Sequence, residues 1–184
     1  MSGLSAGAWG DSAEAKHLHL IALTAAHTGL RRGEIVNLKW ANVNLTDGKL
    51  EVVTSKTDAG VRVVDIGGEL VAAINKHRVN LASVNTGLVA FAAPVFPGID
   101  GERLSRKFST VARRLGMPKG CTLHWLRHSH ATILLNATIP LTVIAERLGH
   151  SDPSVTLKSY AHAMPSHQAE AAQVMDTVMS GGLK

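Results

Sequence analysis

Aromatic residues are scarce in this chain, only 4% of 184 residues: three phenylalanines, three tryptophans and a single tyrosine. Leu, Val, Ile and Ala must therefore do the packing. They suffice, because apolar types reach 45% and a chain of 19.5 kDa can bury the core of one domain. Cysteine is rarer still. Cys121 stands alone, so no internal disulfide is open to the chain and a reducing cytoplasm suits it. No apolar run is long enough to cross a bilayer and nothing at the N-terminus reads as a signal peptide, so no membrane partner is expected. Clusters of acids for magnesium and Gly-rich nucleotide loops are missing as well, so neither a cofactor nor a nucleotide is expected. What the chain has in excess is positive charge, +5 formally with a pI near 9.7, and ten histidines besides. That balance favours a polyanionic partner.

The hydropathy pattern predicts a mainly α chain with a small antiparallel β-sheet, an α+β class. Residues 13–29 read as a helix, with Leu18, Ile21, Ala22 and Ala25 at helical spacing and Gly29 as its stop. A short helix follows around "RRGEIVNLKW". The β-rich runs "KLEVVTS" and "VRVVDI" flank "KTDAG" and form the sheet, with "TDG" turning into the first of them. "GELVAAINKHR" returns to helix, and "NTGLVAFAAPVFPGIDG" is a connection broken by Pro and Gly. From residue 101 onward only helices are expected. In the first, roughly 102–116, Leu104, Phe108, Val111 and Leu115 form one stripe, and Arg103, Arg106, Lys107, Arg113 and Arg114 lie on another. A solvated face is the plainer account of those charges. Five neighbouring cations repel one another, however, and a phosphate backbone across them relieves that cost, which makes them candidate DNA contacts.

Four further stretches carry chemistry. In "TGLRRGEI", Arg31 begins a helix and Glu34 follows one turn later on the same face. Lys56 lies in the "SKTDAG" turn, and in "LHWLRHSHAT" His124 and Arg127 are one turn apart. "LGHSDPSVTLKSY" adds His150, ten residues before Tyr160, with Ser151 or Asp152 before Pro153 starting a short helix that carries the tyrosine. Each alone reads as a surface ion pair, a hairpin-tip lysine or an exposed polar face. Together they have a chemical logic. Two arginines neutralise a phosphodiester as rigid forks of donors. Histidines hydrogen-bond the phosphate and move protons near neutral pH. A loop lysine can protonate a departing alkoxide. A phenol, with a pKa of about 10, is a poor nucleophile in water, but surrounding cations favour its phenolate. The set describes phosphoryl transfer to tyrosine without a metal ion. A zinc site from Cys121, His124, His128 and His130 is the rival, but the spacing matches no common zinc pattern, and Arg127 would sit among the ligands.

In family order, "TGLRRGEI", "SKT", "LHWLRHSHAT", "LGHSD" and "TLKSYAH" resemble the motifs of the tyrosine recombinases, the phage-integrase family, over about residues 13–165. The resemblance implies the fold of that family's catalytic domain. It implies that Arg31 and Arg127 clamp the scissile phosphate of double-stranded DNA while Tyr160 attacks it to give a 3′-phosphotyrosine. Lys56 would protonate the 5′-hydroxyl and His124 assist proton transfer, with His150 supporting the phosphate and Glu34 orienting the pocket. No ATP or metal is needed, because the covalent link conserves bond energy. The implied function is site-specific cleavage and rejoining of DNA in integration or excision of a phage or mobile element, in the cytoplasm at a bacterial nucleoid. A type IB topoisomerase, or a DNA-binding regulator without catalysis, is the alternative.

Two departures from the family pattern stand out. Trp125 replaces an acid found in many relatives, and only a flexible lead-in, residues 1–12, precedes the first helix where relatives carry a core-binding domain. A catalytic fragment of a longer integrase, or a natural single-domain variant, is expected. Residues 166–184 form a C-terminal helix and tail with Ala171, Met175, Val178 and Met179 as an apolar stripe. Either the stripe folds back on its own core or it docks on a neighbouring protomer of a homotetramer on DNA.

Overall fold

The computed structural model describes residues 13–53, 60–84, 89–160 and 168–180. Helix α1 (Ala13–Thr28) is the central rod. Its Ile21, Ala22 and Ala25 are fully buried, and the small alanines let α5 (Leu123–Asn136) and α3 (Gly68–Val84) pack close against it. Thr24 and Thr28, also buried, return their hydroxyls to the carbonyls of Leu20 and Thr24 at 2.8 and 2.6 Å. Neither threonine leaves a polar atom orphaned in the core.

Helix α2 (Arg32–Val36) follows at once, then a single 3₁₀ turn (Trp40–Asn42) and the sheet. The sheet has three antiparallel strands in sequence order, β1 (Val43–Asn44), β2 (Lys49–Val52) and β3 (Arg62–Asp65). The two longer strands were legible. The third, β1, pairs only Val43 with Leu50 and Asn44 with Lys49, too short to leave a period in the sequence. Helix α3 runs on to Val84, beyond the expected "GELVAAINKHR". The connection after it is irregular where described, bridging back through Lys39 and Pro94 and burying Val95 and Phe96.

Helix α4 (Gly101–Arg114) starts at Asp100, whose side chain accepts from the Arg103 amide at 2.8 Å. Its inner face is centred on Leu104, Phe108 and Ala112, while Val111 and Leu115 are half-buried at its edge. The stripe is thus rotated from the expected one, because a one-turn repeat of four brings small Ala112 into the tightest contact. Helices α5, α6 (Leu141–Leu148), α7 (Pro153–Tyr160) and α8 (Gln168–Met179) complete the chain. α6 packs on α5, α7 and β3, so its C-terminal end lies where the sheet and the helices meet. No described helix is long and apolar enough to cross a membrane.

Candidate active site

Two left-handed glycines shape the pocket. Gly29 (φ +67°) ends α1, and a Cβ there would lie 2.8 Å from both His130 and Leu148. Gly149 (φ 67°) ends α6, and a Cβ there would lie 2.6 Å from Nη1 of Arg62. Glycine alone allows both the turn and the approach. The turns aim the last carbonyls of α1 and α6 at the same small volume, where a set of arginines receives them.

Arg127, on α5 and only 4% exposed, donates from Nη1 to the Gly29 carbonyl at 2.5 Å and from Nη2 to the Leu148 carbonyl at 2.6 Å. The same Nη2 lies 3.1 Å from Nε2 of His150. A guanidinium only donates, so Nε2 is the acceptor and the His150 proton sits on Nδ1. That Nδ1–H donates to the buried Thr156 hydroxyl at 2.7 Å, joining the pocket to α7 one turn before Tyr160. Burial, and then the charges of Arg127, Arg31 and Arg62 together with His128, push the His150 pKa down to about 4. His150 is therefore neutral at physiological pH.

Arg31 forms the open edge, with 41% of its side chain exposed. Its Nη1 donates to Glu34 Oε1 at 2.9 Å, its Nη2 to the Gly149 carbonyl at 3.0 Å, and its backbone N–H to Glu34 Oε2 at 2.7 Å. That last bond is one half of a capping box, the reason a glutamate belongs three residues after Arg31. Burial alone would hinder ionisation of Glu34, but hydrogen bonds and charge from Arg62 and Arg31 outweigh it and hold the carboxyl below its usual range.

Of the seven site residues singled out in the sequence, the fold brings Arg31, Glu34, Arg127 and His150 into one hydrogen-bonded cluster. His124 lies one turn before Arg127 on α5, exposed, its ring edge-on to His128 at 4.5 Å. Tyr160 closes α7, but its side chain lies outside the described residues, as does the whole of Lys56.

Arg62 and Arg147 are members of the network that the sequence did not single out, and His130 is one whose role it did not show. Arg62 on β3 grips Glu34 at 3.1 and 3.0 Å. Arg147 donates to the carbonyls of His27 and Asp65 at 3.0 and 2.8 Å and to Nε2 of His130 at 3.2 Å. His130, buried, donates a hydrogen bond from Nδ1 to the Ala26 carbonyl at 2.9 Å, and burial above all lowers its pKa to about 4. Of the four residues weighed as zinc ligands, only His124 and His128 meet, ring edge to ring face. His130 has both ring nitrogens engaged, Cys121 is buried with Sγ 3.8 Å from Met117 Sδ, and His124 and His128 are exposed.

On α4, Arg103, Arg106, Arg113 and Arg114 are exposed and Lys107 half-buried. Acids do stand at the N-terminal end of this row. Asp100 is held below its ordinary pKa first by the Arg103 amide, with a smaller share from the Arg106 charge. Arg103 and Lys107 also line a cavity of about 350 Å³ with His17, Leu18, Ile21 and Leu104, separate from the arginine cluster.

The sequence profile of the phage integrase family matches residues 8–167. A tyrosine recombinase XerC-like protein of Caldanaerobacter subterraneus is 28% identical over 200 residues, covering 90% of this chain and 51% of its own. Among solved structures, the catalytic domain of bacteriophage HP1 integrase superposes with a TM-score of 0.64 at 25% identity, covering 90% of this chain and 85% of its own. The Tn1549 transposon integrase, solved in complex with transposon right end DNA, reaches a TM-score of 0.75 at 22% identity, covering 96% of this chain and 63% of its own. The chain spans about half the length of the curated relatives it matches. With most of its length inside the family profile and the fold of the family's catalytic domain, the chain belongs to the phage integrase family.

Proposed function

We propose that this chain cleaves and rejoins double-stranded DNA at specific sites through a phosphodiester to Tyr160, in the integration or excision of a phage or mobile element. The observation that carries this reading is the convergence of Arg31 and Arg127, distant in sequence, on the turn that leads to His150. Arg127 is held by protein carbonyls from beneath. Arg31 carries more N–H groups than its described bonds use, so the open edge retains donors for a phosphate oxygen. Donors fixed before the substrate arrives need no reorganisation as charge develops on the phosphorane oxygens.

In the proposed reaction the Tyr160 oxygen bonds to phosphorus as the bond to the 5′-oxygen breaks. Lys56 gives a proton to that 5′-oxygen, and His124 assists transfer of the phenol proton. His150 supports the phosphate and Glu34 orients Arg31. The reverse attack by a 5′-hydroxyl restores a phosphodiester and frees the phenol. Arg103, Arg106, Lys107, Arg113 and Arg114 contact the DNA backbone in this reading. α8 leaves Val174, Met175, Val178 and Met179 exposed, at 46 to 80%, and such a stripe suits a neighbouring protomer in a tetramer on DNA.

The test is incubation with a nicked suicide duplex carrying attachment-site DNA of the element that encodes the chain. A covalent adduct should persist on a denaturing gel and vanish with Tyr160→Phe. An adduct formed by that variant, or mapped to a serine, defeats the proposal.

A further inference from the structure

Strand β3 turns an arginine inward. Arg62, Val64 and Ile66 share its buried face, and the Arg62 side chain is only 5% exposed. Its guanidinium meets both Glu34 oxygens, Nη1 at 3.1 Å and Nη2 at 3.0 Å. Nη1 also donates to the Gly60 carbonyl and Nε to the Arg147 carbonyl, each at 2.8 Å. These partners come from separate parts of the pocket. Glu34 belongs to the helix that Arg31 begins, and Arg147 stands two residues before Gly149, whose carbonyl holds Arg31.

Charge gives the arrangement its consequence. A lone Arg31–Glu34 pair would be nearly neutral, and with only the Arg31 amide left on Oε2 the buried carboxylate would draw the Arg31 guanidinium further inward. With Arg62 gripping the same carboxylate from behind, Glu34 is shared, and the trio keeps one net positive charge. Arg31 then makes a single side-chain bond to Glu34 and stays at the open edge.

We propose that Arg62 is a positioning residue for phosphoryl transfer, which by holding Glu34 in a two-pronged grip keeps Arg31 at the mouth of the pocket and available to phosphate. This rests on the function proposed above. Arg62 does not touch the phosphate. It acts through Glu34 on Arg31.

The full 184-residue chain is compared with Arg62→Met, Arg62→Lys, Glu34→Gln and the double variant Arg62→Met/Glu34→Gln. One arm needs no DNA: the Glu34 carboxyl is titrated by carbon-13 NMR. Its midpoint should rise in Arg62→Met, and an unchanged midpoint overturns the proposal. The second arm measures adduct formation on the suicide duplex at saturating protein. Arg62→Met should slow it about 10- to 100-fold, the scale of a small misplacement at a reacting centre, with DNA affinity within about twofold. The double variant should be faster than Arg62→Met, because a neutral amide no longer competes for Arg31. A merely structural role for Arg62 predicts rescue only in step with a restored urea midpoint, because Glu34→Gln also removes an unpaired buried charge, so the midpoints of both variants are measured beside the rates. A wild-type rate in Arg62→Met, or a double variant no faster than it, overturns the proposal. If Arg62→Met does not fold, Arg62→Lys keeps the charge and loses the fork; it should still be slowed, and a wild-type rate overturns the proposal. No adduct from the wild-type chain would count against the parent reading alone and leave the titration to decide Arg62.

Discussion

Arg127 should matter to the fold as much as to any chemistry, and its replacement by methionine measures how much. The side chain is 4% exposed and supplies donors to the carbonyls of Gly29 and Leu148, both buried residues, and to Nε2 of His150. Methionine fills similar volume without a donor, so two buried carbonyls lose their partners. At about 1–3 kcal/mol for each orphaned group, Arg127→Met should cost about 2–6 kcal/mol. That is a large share of the roughly 5–15 kcal/mol that holds a typical domain folded. Arg127→Lys should fall between, because one ammonium cannot reach all three acceptors in the geometry of a planar fork.

The assay is urea unfolding of the free protein, followed by far-ultraviolet circular dichroism. The midpoint should drop while the slope stays constant, since the surface exposed on unfolding is unchanged. In the same variant the NMR titration midpoint of His150 should move up but stay below its ordinary value. Burial, the largest cause of its depression, remains, whereas the Arg127 charge is gone. Unchanged stability in Arg127→Met would refute the account of Arg127 as a clasp between α1, α5 and α6. Any loss of cleavage in Arg127 variants must accordingly be measured where the variant is still folded.

Acid should weaken the fold in a defined window. His130 and His150 titrate near 4 when folded and near 6.5 as unfolded references, so the unfolded chain takes up protons first. Stability should therefore fall as pH drops from about 6.5 to about 4, by up to about 1.4 kcal/mol per pH unit for each histidine, and urea midpoints across that range check it. Replacing Arg106 and Lys107 by alanine should flatten the log–log salt dependence of DNA binding by up to about two units, equally on specific and random duplex; an unchanged slope returns them to the solvated surface. EDTA should leave adduct formation intact, because the pocket's donors are guanidinium and imidazole groups and its carboxylate is held by two arginines. A magnesium requirement would contradict the proposed chemistry.

Much of this was legible because spacing along a helix is local. Arg31 and Glu34, or His124 and Arg127, are one turn apart whatever the rest of the chain does. The buried scaffold was harder to read because it is made of pairings distant in sequence. In "VRVVDI" the valines suggest an apolar strand, yet Val61 and Val63 are exposed and Arg62 points inward with Val64 and Ile66. The parity of Arg62, Val64 and Ile66 is the signal that could have placed it. Its tolerance in the core depends on Glu34, 28 positions earlier, which no strand pattern reveals. His130 reads in the sequence as a metal candidate, but its partners are a helix-end carbonyl and an arginine from another helix. The apolar stripe of α4 holds at Leu104 and Phe108, with Val111 and Leu115 at its edge, and misses Ala112, because side-chain size, and not hydropathy alone, decides which residue sits deepest.

The same long-range pairings explain how so much positive charge is held in so little space. Arg31, Arg62, Arg127 and Arg147 converge on a pocket in which Glu34 is the acid that the described bonds engage. Glu34, with only the charge of Asp65 reaching Arg147 besides, cannot balance four guanidiniums. The remaining acceptors are mostly backbone carbonyls at the C-terminal ends of two helices: those of His27 and Gly29 at the end of α1, and of Arg147, Leu148 and Gly149 at the end of α6. Helix C-termini carry partial negative charge and leave carbonyls without intrahelical partners, so the arginines satisfy the helices as the helices hold the arginines. Carbonyl dipoles hold a cation in place without cancelling its full charge. A carboxylate in each of those positions would have neutralised the pocket. Built this way, it stays cationic, keeps His150 unprotonated, and presents its excess charge at the edge where Arg31 is exposed.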